Sequence, residues 1–240
     1  MKVALVCIAK NEDNYIKEWI NYHKKIGFDD IFIYQNDWRT DITESNVYKI
    51  EFDGVDKQRK AYNNFILEHK KTYDWAAFFD VDEFIVLKNH KNIKDFISDY
   101  INYPAIGINW VLFGNNNNLN LDGNYSVLER FTKRQKQVNQ HIKSIVNLSF
   151  PVSMDVHNPN CRIIDTNHNS FGGPYNKRGN DNIAQINHYF CKTKDEFIQK
   201  CNRGRADSPV FKRTIKEYET LNFNEIDDFS ALNFFKNKTT

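Results

Sequence analysis

The stretch Trp75-Ala76-Ala77-Phe78-Phe79-Asp80-Val81-Asp82-Glu83-Phe84 constrains the fold more than any other part of the chain. A short, wholly apolar run between polar residues reads as a strand buried on both faces, the kind found in parallel sheets covered by helices. The run leads straight into three carboxylates within four residues. If the backbone stays extended there, Asp80 and Asp82 project to one side while Val81 points back into the core. Two carboxylates about 6 Å apart repel by roughly 3 kcal/mol at an effective dielectric of about 20, so the pattern calls for a cation. Oxygen donors suit the hard divalent ions Mg2+ and Mn2+, which usually arrive with substrate phosphates. The competing reading is an acidic strand-to-loop turn with no ligand.

The surrounding pattern agrees with a parallel sheet. Val3–Ala9 reads as a first buried strand, and Lys10-Asn11-Glu12-Asp13 opens a helix with acids in its first turn, where the macrodipole favours them. Tyr15, Ile16, Trp19, Ile20, His23 and Ile26 form a helical stripe that Gly27 ends. Ile31–Tyr34 is a second strand stopping at Gln35-Asn36-Asp37, residues 47–52 a weaker third, and residues 57–70 a helix with Ala61, Phe65 and Ile66 inward. Strand and helix alternate, which argues for a doubly wound α/β sheet whose ligands bind beyond the carboxyl ends of the strands. Three such ends carry polar clusters: Lys10-Asn11-Glu12, Gln35-Asn36-Asp37 and Asp80-Val81-Asp82.

Farther on, residues 92–101 form an amphipathic helix, and residues 105–113 an apolar strand ending at Gly114. The Asn115–Asn118 run is of low complexity and is expected to be a mobile loop. A short helix is predicted near residues 127–134, strands at 142–148 and 161–164, and a turn at Phe171-Gly172-Gly173-Pro174. Residues 183–190 read as a strand that delivers His188 near its end. Thr193-Lys194-Asp195-Glu196 is a capping box opening a helix that Gly204 ends. Residues 223–240 mix aromatics with acids and then turn basic, and the pattern does not place them.

At 240 residues the chain is long enough for one large core. Lys+Arg 33 against Asp+Glu 31 gives a net charge of +2, no case for nucleic acid as a partner. Cys7, Cys161, Cys191 and Cys201 show neither a CxxC pair nor zinc spacing, so free thiols in a reducing compartment are expected. Residues 3–9 are too short for a signal-peptide core, and no run approaches a transmembrane helix. A cytoplasmic protein is expected, with peripheral docking at the inner face of a membrane left open.

The ordered series of motifs along the chain is specific. Lys10-Asn11-Glu12 with Glu18-Trp19-Ile20 and His23, then Asp74-Trp75 and Asp80-Val81-Asp82-Glu83-Phe84, then Trp110 with Phe113-Gly114, then Asn187-His188-Tyr189 with Phe197 and Arg203-Gly204, resembles the family 2-like and family 92 glycosyltransferases of GT-A fold. The resemblance covers about residues 3–206. It implies a Rossmann-like, mostly parallel mixed sheet flanked by helices: a nucleotide-sugar half to about residue 90, an acceptor half over about 91–206, and a C-terminal helical extension or tail over 207–240. It further implies a metal-dependent transferase, usually inverting, that moves a hexose, galactose favoured, from a UDP-sugar to a glycan or lipid-linked saccharide.

Carried over by position, Asp80 and Asp82 would hold Mn2+ or Mg2+ with His188. Ala9, Lys10, Asn11, Glu12, Asn36, Arg59, Asp80 and Val81 would contact the nucleotide sugar, and Trp110, Phe113 and Gly114 the acceptor. The end of the second strand departs from the usual Asp-rich pattern, and the Asn-rich stretch after Gly114 does not match.

The chemistry needs a cation on the leaving diphosphate and, for inversion, a base at the acceptor hydroxyl. Asp155, near His157, and Glu83 are the candidate bases; the alternative for Asp155 is a turn cap. Lys192, Lys200, Arg203 and Arg205 are candidates for the diphosphate, set against cations that merely suit a helix C-terminus. Lys143 is a similar case, and the alternative for His188 and Trp110 is plain core packing. Two other function classes fit parts of the pattern: an aspartyl phosphatase, which also places DxD after an apolar strand, and a non-catalytic nucleotide-sugar-binding module.

Overall fold

The computed structural model describes residues 1–118, 123–204, 210 and 212–237. In chain order its elements are β1 (Val3–Ala9), α1 (Ile16–Ile26), β2 (Asp30–Gln35), β3 (Val47–Glu51), α2 (Gln58–His69), β4 (Trp75–Phe78), β5 (Glu83–Leu87) and α3 (Ile93–Ser98). There follow β6 (Ala105–Leu112), α4 (Val127–Arg130), β7 (Lys133–Arg134), β8 (Ile142–Asn147), β9 (Ile163–Ile164) and β10 (Ser170–Phe171). The chain continues with β11 (Ala184–His188), α5 (Lys194–Arg203), α6 (Ile215–Leu221), β12 (Ile226–Asp227) and α7 (Ser230–Lys236).

Ten of the described strands form one mixed sheet, ordered β10-β9-β6-β8-β4-β1-β2-β3, with β11 beside the far end of β6 and β5 beside β11. The β4-β1-β2-β3 half is parallel, as the alternation of strand and helix predicts. The join to the second half is antiparallel, β8 lying between β4 and β6. A Rossmann-like parallel half continued by a mixed half is the arrangement that the sequence resemblance implies.

Alternation along β1 sorts the core into two layers. Val3, Leu5 and Cys7 join Trp19 and Ile20 of α1 and the apolar residues of α3 on one face. Ala4, Val6 and Ile8 join Ala61, Tyr62 and Phe65 of α2 on the other. Gly27 ends α1 at φ 103°, a left-handed conformation costly for residues with a Cβ, and returns its N–H to the His23 and Lys24 carbonyls. The helix starts later than the acidic run suggests: Glu12 O accepts the N–H groups of Tyr15 and Ile16 in a preceding turn.

Two expectations need correction, and one unplaced stretch gains a place. The chain does not stay extended after Phe79. It turns at Val81–Asp82, where the Glu83 N–H donates to Asp80 O at 3.0 Å, and re-enters the sheet as β5, a strand the sequence reading omits. The Asn115–Asn118 run is tied down: Asn115 is buried, its N–H donates to Asn222 Oδ1 and its amide to Tyr218 Oη. Residues 223–237, unplaced by the sequence, also have a place. β12 pairs with β7, and α7 sets Phe234 5.4 Å from the Tyr22 ring of α1. The four cysteines are unpaired. Among the described residues no helix is long and apolar enough to cross a membrane.

His23 lies fully buried in the aromatic layer, Nδ1 at 2.9 Å from Trp19 O, and burial holds its pKa down at about 3. The native state therefore binds no proton there between about pH 6.5 and 3, whereas the unfolded state does, so stability falls as pH falls through that window. His23→Leu should flatten the acid limb of the unfolding free energy by up to about 1.4 kcal/mol per pH unit, measured by urea denaturation from pH 7 to 4. An unchanged slope would contradict the assignment.

Candidate active site

Asp80 leaves the carboxyl end of β4, and the sheet itself brings its partners. β8 runs antiparallel with Phe78 opposite Ser144, so one step past the pair Lys143 reaches the same end. Its Nζ lies 2.9 Å from Asp80 Oδ2 and 3.6 Å from Glu83 Oε2, with Lys143 and Glu83 both fully buried. The first residue of α2 completes the set: Gln58 Nε2 donates to Asp80 Oδ1 at 2.7 Å, and Tyr62 Oη, one turn on, lies 3.3 Å away. Burial works against the Lys143 charge, but Asp80 and Glu83 outweigh it and raise its pKa above the ordinary value. Burial drives Glu83 well above the usual carboxylate range despite Lys143. Both Asp80 oxygens thus face protein donors.

Asp82 is served by two other elements. β11 pairs antiparallel with β5, His188 opposite Glu83, and the next N–H, that of Tyr189, donates to Asp82 O at 2.9 Å. This places His188 Nε2 3.6 Å from Asp82 Oδ1. From α5, Lys200 Nζ lies 2.6 Å from Asp82 Oδ2. Burial opposes the Asp82 charge, but the Lys200 ammonium outweighs it and keeps the carboxyl well below its usual range. Burial lowers the His188 pKa, favouring the neutral imidazole that can ligate a metal. Its Nδ1 is buried without a hydrogen-bond partner. Among the described residues no group of three or more His, Cys, Asp or Glu side chains is arranged to hold a metal ion. The pair Asp82 and His188 could hold one only with further oxygens from a ligand.

The two carboxylates form a wall shared by two clefts. The first is polar, lined by Ile8, Lys10, Glu12, Val81 and Arg203 beside the shared Gln58, Asp80, Asp82, Lys200 and Arg213. The second is aromatic, with Trp110, His141, His157, His188 and Phe190 around the same shared residues. Trp110 stacks on His141 at 4.8 Å and 17°, and its ring is 4.3 Å from that of His188. Trp110 Nε1 is buried with no hydrogen-bond partner. Burial, aided by Lys143, lowers His157 to about 3, and burial lowers His141 as well. A capping box starts α5, Thr193 and Glu196 bonding each other's backbone N–H, and Arg203 at its end bonds Glu12 Oε1 at 2.5 Å and the carbonyls of Lys10 and Asn11. That clasp fixes α5 against the β1–α1 loop and so sets Lys200 over Asp82.

The structure gathers Lys10, Glu12, Asp80, Val81, Asp82, His188 and Trp110 at this junction, with Lys200 and Arg203. It places the others elsewhere. Ala9 packs in the core, and Asn11 lines a separate cavity behind α5. Asn36 spends its amide on the carbonyls of Phe52 and Gly54, tying β2 to the loop after β3. Arg59 is exposed on α2, while its neighbour Gln58 enters the site.

Glu83 is fully buried behind Asp80 rather than in either cleft, accepting the Asp80 N–H at 2.9 Å. Asp155 is exposed and caps its own turn, accepting the Val156 N–H. Phe113 is a core residue, and Gly114 is dictated by packing, since a Cβ there would lie 2.2 Å from Phe223 O. Lys192, at φ 51°, lies 3.3 Å from the Tyr15 ring centroid. Arg205 lies outside the described residues.

Sequence reasoning missed Gln58, Tyr62 and His141. Signals existed: Gln58 and Tyr62 are four apart on the face of α2 that carries Ala61 and Phe65, and His141 immediately precedes β8, two residues before Lys143.

A polar cleft at the carboxyl end of parallel strands, sharing a carboxylate pair with an aromatic cleft, lies where α/β sheets of this kind hold their ligands. The chain belongs to glycosyltransferase family 92, whose family model matches residues 3–224. It is similar to glycosyltransferase family 92 protein Os08g0121900 of Oryza sativa subsp. japonica, 28% identical over 118 residues, a match covering 44% of this chain and 20% of that protein. It is likewise similar to glycosyltransferase family 92 protein At1g27200 of Arabidopsis thaliana, 26% identical over 114 residues and again covering 20% of the relative. The matched part is thus about a fifth of each of these relatives. Among solved structures, S. aureus TarS 1-349 superposes at a TM-score of 0.36 with 17% identity, covering 62% of this chain and 48% of that one.

Lys143→Met should destabilise the protein by about 3–5 kcal/mol, because it leaves the Asp80 carboxylate at the buried end of β4 without its ammonium. Adding Asp80→Asn, which removes the uncompensated charge, should restore part of the loss. Chemical denaturation of the single and double variants checks this; a loss under about 1 kcal/mol for the single variant would contradict the coupling.

Proposed function

We propose that this chain transfers a hexose from a UDP-sugar, galactose favoured, to a glycan or lipid-linked saccharide, with Mn2+ or Mg2+. The observation that carries the reading is the meeting of the two clefts at Asp80 and Asp82. Family membership supports transfer over phosphoester hydrolysis. In this reading the polar cleft takes the nucleotide diphosphate against Lys10, Lys200 and Arg203, and the aromatic cleft takes the acceptor sugar against Trp110. Asp82 and His188 hold the divalent ion, whose chemistry, when bound, is Lewis-acid stabilisation of the departing diphosphate. Asp80 keeps its hydrogen bonds to Gln58 and Lys143 and serves as a fixed acceptor for a sugar or ribose hydroxyl rather than as a metal ligand.

An inverting reaction needs a base in the acceptor cleft. Asp155 and Glu83 do not line it, whereas His141 does. Asn139 Oδ1 lies 3.0 Å from His141 Nδ1, which with the ring N–H placed there leaves Nε2 to accept a proton. His141 is therefore the base in this proposal, a side chain oriented by a third group and neutral because burial lowers its pKa.

Calorimetric titration of UDP and of GDP, with and without Mn2+, tests the donor half. UDP should bind tightly only with Mn2+, and Asp82→Asn should weaken that binding at least about tenfold, the loss of one charge-assisted contact. Absence of nucleotide binding in either condition would overturn the reading. Binding without turnover of any UDP-hexose would favour the non-catalytic module. Once an acceptor is in hand, His141→Ala should lower kcat by about 10²–10⁴ while leaving UDP affinity unchanged.

A further inference from the structure

The site contains two lysines on two aspartates, and their surroundings differ. Lys143 is locked: fully buried, bonded to Asp80, close to Glu83, and lining neither cleft. Lys200 is not. Its Nζ meets Asp82 Oδ2 at 2.6 Å and Phe190 O at 3.1 Å, and the residue lines the polar cleft, the aromatic cleft and the cavity behind α5. The side chain is largely buried, yet it borders all three spaces, with the ammonium 4.3 Å from the Phe190 ring centroid. Its helix is fixed by the capping box and by the Arg203–Glu12 clasp, so a change of partner requires only rotation of the flexible four-carbon side chain.

We propose that Lys200 is an exchangeable counter-ion, a role that rests on the donor reading above. Without nucleotide it neutralises Asp82. When a nucleoside diphosphate enters with its divalent ion, the ion takes the Asp82 oxygen and the ammonium turns to the phosphate oxygens in the polar cleft. His188 faces Oδ1 of Asp82 and Lys200 faces Oδ2, so an ion held between Asp82 and His188 would stand a carboxylate's width from the ammonium, where like charges repel. The arriving diphosphate offers that ammonium a stronger anion than the one it leaves. For a nucleotide sugar, whose diphosphate diester carries two charges, the balance holds in both states: one ammonium against one carboxylate before, an ammonium and a divalent ion against a carboxylate and the diphosphate after. The extra charge of free UDP would fall to the other cations of the polar cleft, Lys10 and Arg203. Lys200 then makes metal capture depend on nucleotide, because a free cation would have to displace an ammonium that has nowhere better to go.

Titration of MnCl2 alone, and of UDP in the presence of Mn2+, into the whole chain and into Lys200→Met tests this by the signs of two changes. Mn2+ alone should bind the variant about tenfold more tightly than it binds the unaltered protein, while UDP with Mn2+ should bind about tenfold more weakly. A purely structural role for Lys200 would weaken both. Lys200→Gln, isosteric and uncharged, is measured beside it as the second variant and should shift both affinities the same way as Met; Lys200→Arg, which keeps the charge, should leave Mn2+ affinity near its original value. If the unaltered protein binds UDP with Mn2+ but neither uncharged variant gains affinity for free Mn2+, the exchange is wrong and the donor site stands. If the unaltered protein binds neither Mn2+ nor UDP, the donor reading fails and the exchange with it.

Discussion

The structure depends on the cost of ending a buried strand in two carboxylates. Asp80 and Asp82 repel each other in a setting where burial penalises charge, and no hydrophobic contact relieves that. The fold answers with two ammonium groups from distant parts of the chain, Lys143 of β8 on Asp80 and Lys200 of α5 on Asp82. Both placements follow from backbone pairing. β8 must run antiparallel to β4 for Lys143 to arrive, and β11 must pair with β5 for the Tyr189 N–H to hold the Asp82 carbonyl. The antiparallel join between the halves of the sheet is therefore what makes the acidic pair sustainable.

The same pairing divides the labour between the carboxylates. Asp80, bonded to Gln58, Tyr62 and Lys143, is a fixed acceptor. Asp82, beside His188 and a lysine that lines both clefts, is the one whose partner exchanges in the proposal. A DxD pattern read as two equivalent ligands hides this asymmetry. It comes from the turn at Val81–Asp82, which sends the two side chains to different neighbours along one shared wall.

What was legible in the sequence was local. The apolar runs of β1 and β4, the stripe of α1 with its terminating Gly27, and the Thr193 capping box each carry their signal within a few residues, and the structure has them there. The partners of the carboxylates are 63 and 118 residues away in sequence, and only sheet register and helix docking bring them in. Asn36, Phe113 and Gly114 stand at strand ends, as site residues do, yet each is used for packing or backbone satisfaction, a choice that side-chain type alone does not encode. Residues 223–237 carry weak periodicity because their elements are short and gain their order from α1, β5 and β7. His141 and Gln58 needed strand and helix faces to be compared across the chain before they could be seen as neighbours of Asp80.

The most direct test of the account is an anomalous-difference map from crystals of the protein grown with UDP and Mn2+. The account predicts a manganese peak bonded to Asp82 and His188 Nε2, with Asp80 still held by Lys143 and Gln58 and the Lys200 ammonium on the diphosphate. A peak bonded to Asp80, or UDP bound away from the cleft between Lys10 and Arg203, would contradict it.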